Sequence, residues 1–262
     1  MSSHLDPLRR VRVGCVRYLN ARPLIEPFEC AGGRVTLEHP SVLASRLACG
    51  ELDVALVPIF EALRSPEFRI ADGVAIASRG PVWSVFVAHQ GPISDVTEVA
   101  LDPASLTSAN LCKVLFSEWL GTSPRYVPEP APPGAARLMI GNQAIEFRAR
   151  HGDAWRYLDL GEEWLRRTGL PFVFAAWLIR PEVENPGEIA AAFRALASEG
   201  IAKVPEIAAS QPDPAFALRY LTEWIRFGLG DEEKAAIALF RALLIKHGQL
   251  SPADGAQPLV YV

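Results

Sequence analysis

Gly50-Glu51-Leu52-Asp53-Val54-Ala55-Leu56-Val57-Pro58 and Val13-Gly14-Cys15-Val16-Arg17-Tyr18-Leu19-Asn20-Ala21-Arg22-Pro23 are the stretches that decide how this chain folds. Each is a short apolar run that ends in polar, proline-punctuated residues. An apolar run without alternation suits a strand buried on both faces of a parallel sheet. Open α/β sheets hold ligands just past such strand ends. The two segments therefore predict an architecture and a site together: a small ligand held by strand-end loops.

Outward from these segments, further strands are expected at 34–37, 74–77, 83–88, 98–101, 136–141 and 172–179, beside 11–16 and 53–57 themselves. Helical patterns fall between them. Ser41 is placed to cap a helix running to Gly50, and Ser105 or Thr107 one running to Leu120. Alternating strands and helices predict an α/β fold with a mostly parallel sheet. Pro124, Pro128, Pro130, Pro132 and Pro133 mark one extended loop. After the last strand the pattern turns helical. Asn185-Pro186, Asp213-Pro214 and Asp231-Glu232-Glu233 open three amphipathic helices, the last closed by Lys246-His247-Gly248. Ala77 to Val85 and Phe172 to Trp177 read as crossovers between two lobes. The first lobe is then discontinuous, residues 1–85 with 176–262, and residues 86–175 form the second, with a cleft between them.

Composition narrows the function. The 262 residues are half hydrophobic, enough for a sizeable core, and carry a formal charge of -4. That charge gives no general attraction to nucleic acid or to an anionic membrane. An anionic substrate would need a local positive pocket. No apolar run approaches the length that spans a bilayer, and no signal peptide is read before the first strand, so a cytoplasmic location is expected. Cys15, Cys30, Cys49 and Cys112 form no C-x-x-C pair and read as reduced thiols. No metal-ligand spacing occurs, nor any dinucleotide, P-loop or nucleophile-elbow motif. Neither metal nor cofactor is expected.

Four groups of residues remain for the chemistry. Asn20 follows a buried strand, where its amide can donate and accept in a fixed direction; it can equally be a turn residue. Ser105, Thr107 and Ser108 cluster at a helix start, where free N–H groups and the helix dipole favour an anion; one of them can instead be a plain cap. Ser84 sits at the first crossover, facing a cleft or packed as an ordinary strand serine. Gly141-Asn142 follows a strand and permits close backbone approach, with Asn142 alternatively a helix cap.

Tyr18 to Pro23, Gly50 to Pro58, Gly80 to Val85, Asp102 to Ser108 and Thr168 to Ala175 occur in an order that is similar to the MqnA family, the chorismate dehydratases of the futalosine route to menaquinone. The resemblance covers residues 11–180. It implies a fold like the type II periplasmic binding proteins and dehydration of chorismate to 3-[(1-carboxyvinyl)oxy]benzoate without cofactor or metal. It implies that Asn20 and Ser84 are catalytic. Tyr18, Arg22, Ser105, Thr107, Ser108, Gly141 and Asn142 are expected to bind substrate. The family usually carries an acid where this chain has Asn142. The competing expectation is a non-catalytic binding protein for a small carboxylate on the same fold.

Overall fold

The computed structural model describes residues 3–102 and 106–262. Helix α1 (Asp6–Arg9) leads into β1 (Val13–Val16). Helix α2 (Arg22–Cys30), β2 (Val35–Glu38), α3 (Pro40–Ala48), β3 (Val54–Pro58) and α4 (Phe60–Arg64) alternate after it, and a long strand β4 (Arg69–Ser78) follows. The chain then crosses to β5 (Val85–His89), β6 (Glu98–Leu101), α5 (Leu106–Leu115), β7 (Arg125–Pro128), β8 (Ala136–Ile140), α6 (Gly141–His151), β9 (Arg156–Asp159) and α7 (Leu160–Thr168). It returns through β10 (Phe172–Ile179). Helices α8 (Pro186–Ala202), α9 (Val204–Ala209), α10 (Pro214–Arg219), α11 (Asp231–Lys246) and α12 (Pro252–Ala256) and strand β11 (Val260–Tyr261) complete the chain.

These strands form two sheets, of order β11-β4-β10-β3-β1-β2 and β7-β6-β8-β5-β9. Both are mixed rather than mostly parallel. β1 runs parallel to β2 and β3, and β6 to β7 and β8. The two strands that follow the crossings, β5 and β10, are antiparallel to their neighbours. A strand that enters a sheet from the other half of the molecule runs back against its neighbours. β10 lies whole in the six-stranded sheet.

β1 and β3 are buried along their whole length, as their unbroken apolar runs demand. β5 shows the alternative pattern. Val85 and Val87 join the main core, whereas Phe86 and Ala88 face a smaller cluster with Met139 and Ala144 beneath α6. The main core is continuous across both sheets. Helix α8 packs on α2 and β4, and its buried Phe193 stacks on Trp177 of β10. Gly200 makes this approach possible: a Cβ there would lie 1.7 Å from the Pro23 carbonyl oxygen.

Several local expectations change. Ser41 does not cap α3, because Pro40 takes the first helical position after the extended His39. Part of the proline-rich loop is strand β7, paired at the sheet edge and ended by Pro128. α10 stops at Arg219 and gives way to a wide π turn over Tyr220–Trp224. The helical tail holds five helices, not three.

The first crossover is held tightly. Trp83 adopts a left-handed backbone, φ 64°. The buried Asp159 carboxylate accepts the backbone N–H groups of Val82 and Trp83, and also caps α7 through Gly161 and Glu162. The Trp83 ring stacks on Trp224 at 4.7 Å, and the Arg148 guanidinium lies 3.5 Å from the Trp83 ring centroid.

Candidate active site

A cleft lies where the strand ends of the two sheets meet. Val16 of β1 and Leu56, Val57 and Pro58 of β3 form its floor, with Ile76, Phe174 and Ala175 beside them. Val85 and Ile140 close it from the five-stranded sheet. Its apolar walls suit a small organic ligand.

Polar groups enter from four loops. Tyr18 and Asn20 come from the turn after β1, Pro40 from the start of α3, Leu106, Thr107 and Ser108 from the start of α5, and Gly141 from the start of α6. Among the described residues that line the cleft none is charged. Three helices begin at the cleft wall, at Pro40, Leu106 and Gly141, and helix N-termini favour anions.

Asn20 is 8% exposed, and its Oδ1 has no hydrogen-bond partner among the described residues. The Tyr220 hydroxyl is a neighbour of its amide. Ser84 lies behind the wall, not in it. It is fully buried, with Oγ 2.7 Å from that same hydroxyl, and its carbonyl accepts the Gly141 N–H at 2.8 Å. Burial pushes the Tyr220 phenol far above its ordinary pKa, against the hydrogen bond with Ser84.

Thr107 sits within the first turn of α5 rather than capping it. Its Oγ1 accepts the Phe60 N–H at 3.1 Å, tying α5 to α4. Ser108 also lines the cleft, and its side chain has no hydrogen-bond partner among the described residues. Ser105 lies outside the described residues. The Tyr18 ring packs on Gly141, where a Cβ would come within 2.7 Å of it, and Gly141 has φ 62°. Both facts call for glycine. Burial, with the negative charge of Asp102 adding to it, pushes the Tyr18 phenol up to about 12.

Like Ser84, Arg22 and Asn142 stand away from the cleft lining. The Arg22 guanidinium turns along α2 to pair with Glu26 at 2.6 Å. Asn142 does not cap α6 but is its second residue, and its Oδ1 accepts the Leu19 N–H at 3.0 Å. The amide thus clasps the turn that carries Tyr18 and Asn20. Tyr220 was not foreseen. An aromatic in an amphipathic helix reads as core, and only the unmet need of the buried Ser84 hydroxyl for a partner hinted at it.

Fold and cleft together define an α/β protein with a periplasmic-binding-protein-like fold and a candidate site between its two sheets. A protein from Archaeoglobus fulgidus superposes with a TM-score of 0.74 at 17% identity, covering 92% of this chain and 98% of that one. The aliphatic sulphonate binding protein SsuA from Escherichia coli gives 0.59 at 15%, covering 92% and 93%. At the level of sequence, the chain belongs to the menaquinone biosynthesis family, whose model matches residues 11–246. A chorismate dehydratase from Thermus thermophilus is 29% identical over 265 residues, 90% of this chain and 96% of its own. One from Campylobacter jejuni is 28% identical over 170 residues, 62% and 64% of the two chains. No helix among the described residues is long and apolar enough to cross a membrane.

Proposed function

We propose that this chain dehydrates chorismate to 3-[(1-carboxyvinyl)oxy]benzoate and water. The observation that carries the reading is the buried Asn20 carboxamide, one polar group with an open valence on a small apolar cleft, in a chain of the menaquinone biosynthesis family. The relatives that share most of its length are chorismate dehydratases, which supports it.

Chorismate carries two carboxylates and a ring hydroxyl. The cleft offers anions the helix starts at Pro40, Leu106–Ser108 and Gly141. Charge-assisted hydrogen bonds there are worth roughly 1.5–3 kcal/mol each. Dehydration removes the hydroxyl from one ring carbon and the proton from the neighbouring carbon, which bears the enolpyruvyl ether. The ring becomes aromatic, so the step runs downhill. The difficult event is the proton transfer. Tyr18 is the one ionisable side chain on the described lining, and with its pKa at about 12 it stays neutral. The enolpyruvyl carboxylate of the substrate, held within reach, is then the base, and the protein's part is orientation in a dry site.

Two lobes built on the two sheets, meeting near residues 85 and 175, would close over the substrate and exclude water. Neither metal nor cofactor enters the scheme.

The test is incubation of the purified protein with chorismate, followed by chromatography and mass spectrometry. A 3-substituted benzoate lighter than chorismate by one water is expected. Saturable binding of chorismate without that product would favour a binding protein on the same fold.

A further inference from the structure

We infer that Asn142 is a positioning residue: from the start of α6 it caps the turn after β1 that carries Asn20, and so fixes Asn20 at the cleft. This rests on the dehydratase reading, in which the Asn20 oxygen receives the ring hydroxyl that leaves as water, the hydrogen-bond donor among the polar groups of the substrate.

The turn is a single 3-10 turn, Leu19–Ala21, entered from the extended Tyr18. The first N–H groups of such a turn have no internal acceptor, and Tyr18 gives it no side-chain cap. The acceptor comes from the other sheet. Asn142, on the helix that follows β8, takes the Leu19 N–H on its Oδ1 at 3.0 Å. An N–H needs an oxygen opposite it, so this bond also sets the orientation of the Asn142 carboxamide. Next along the turn is Asn20, 8% exposed on the cleft lining, whose Oδ1 has no partner among the described residues. Just before Leu19, the Tyr18 ring lies against Gly141, where no Cβ fits. Residues 141 and 142 thus hold residues 18 and 19. The platform is itself fixed, since the Gly141 N–H donates to the Ser84 carbonyl at 2.8 Å. The same arrangement recurs at the end of β3. Phe60 opens α4, Ile59 gives no side-chain cap, and Thr107 Oγ1 on α5 accepts the Phe60 N–H at 3.1 Å. In both places a helix that follows a strand of the five-stranded sheet caps a turn that follows a strand of the six-stranded one. Asn142 is exposed and off the cleft lining, so it acts on the reaction through the turn and not by contact with substrate.

The test is chorismate turnover in a short series of variants. Asn142→Ala removes the acceptor and should lower kcat about three- to tenfold, with KM within roughly threefold of wild type. Asn142→Asp keeps an acceptor oxygen in place and should return kcat to within about twofold of wild type. In an Asn20→Ala background, Asn142→Ala should cost less than about 1.5-fold, because its effect is relayed through Asn20. Asn142→Leu also lacks the acceptor; it should match the alanine variant, and it stands in for that protein if it does not accumulate folded. Wild-type kcat without the acceptor, no recovery in Asn142→Asp, or effects that multiply fully in the double variant would overturn the assignment. A wild-type protein that leaves chorismate unchanged would sink the dehydratase reading and this inference with it, a different failure visible before any variant is compared.

Discussion

Thr107 and Ser108, neighbours on one helix, separate structure from function at the cleft. The Thr107 hydroxyl accepts the buried Phe60 N–H, so Thr107→Val strands a donor and should cost about 1–3 kcal/mol of stability. The Ser108 hydroxyl has no such partner among the described residues. Ser108→Ala should leave thermal stability near wild type and weaken chorismate binding by about tenfold, the loss of one hydrogen bond to a charged group. Calorimetric Kd and melting curves on both variants check this pair. Equal loss of stability in the two would return Ser108 to a packing role. Gly141→Ala should be worse than either, since φ 62° and the Tyr18 ring both oppose a side chain. Because Tyr18 titrates only near 12, kcat should stay flat between about pH 6 and 9. At this scale the sequence is informative about Asn20, Thr107, Ser108 and Gly141, which sit at strand ends and helix starts. It is misleading about Arg22, whose glutamate one turn on was not weighed as its partner.

Asp159 works at the scale of whole elements. One carboxylate caps α7 and holds the Val82–Trp83 crossover, so it joins a helix to the strained link between sheets. Asp159→Ala should cost more than the roughly 1 kcal/mol of an ordinary cap, with chemical denaturation as the measure. Arg12 and Asp53 tie the chain before β1 to the start of β3. The hydrogen bond from Arg12 holds Asp53 below its ordinary carboxylate pKa. A depressed folded pKa contributes stability that is present above the unfolded value, about 3.9, and is lost as pH falls through the folded one. Asp53→Asn should therefore be less stable than wild type at neutral pH, and the gap should close in acid. A gap independent of pH would remove the ion pair from that account. The elements buried on both faces are the plainest in sequence, although the edge strand β2 was read as well. β1, β3 and β10 read as apolar runs, whereas β7, β9 and β11 were missed. All three are edge strands, half wetted and mixed in composition, and nothing local distinguishes them from loop.

The molecule as a whole is two mixed sheets around a cleft, with the chain passing between them after β4 and before β10. The antiparallel sense of β5 and β10 was not legible, because an apolar run records burial and not direction. Small-angle scattering should show a smaller radius of gyration with saturating product than without it, as the lobes close. Identical profiles would count against closure. The central claim is that this cleft removes water from chorismate with Asn20 as the group that holds the leaving hydroxyl. It is tested most directly by chorismate turnover in wild type and Asn20→Ala, side by side, on samples with matched melting curves. The account predicts benzoate formation by the wild type and a kcat lower by on the order of a hundredfold in the variant. No benzoate from the wild type, or equal rates from the two proteins, would contradict it.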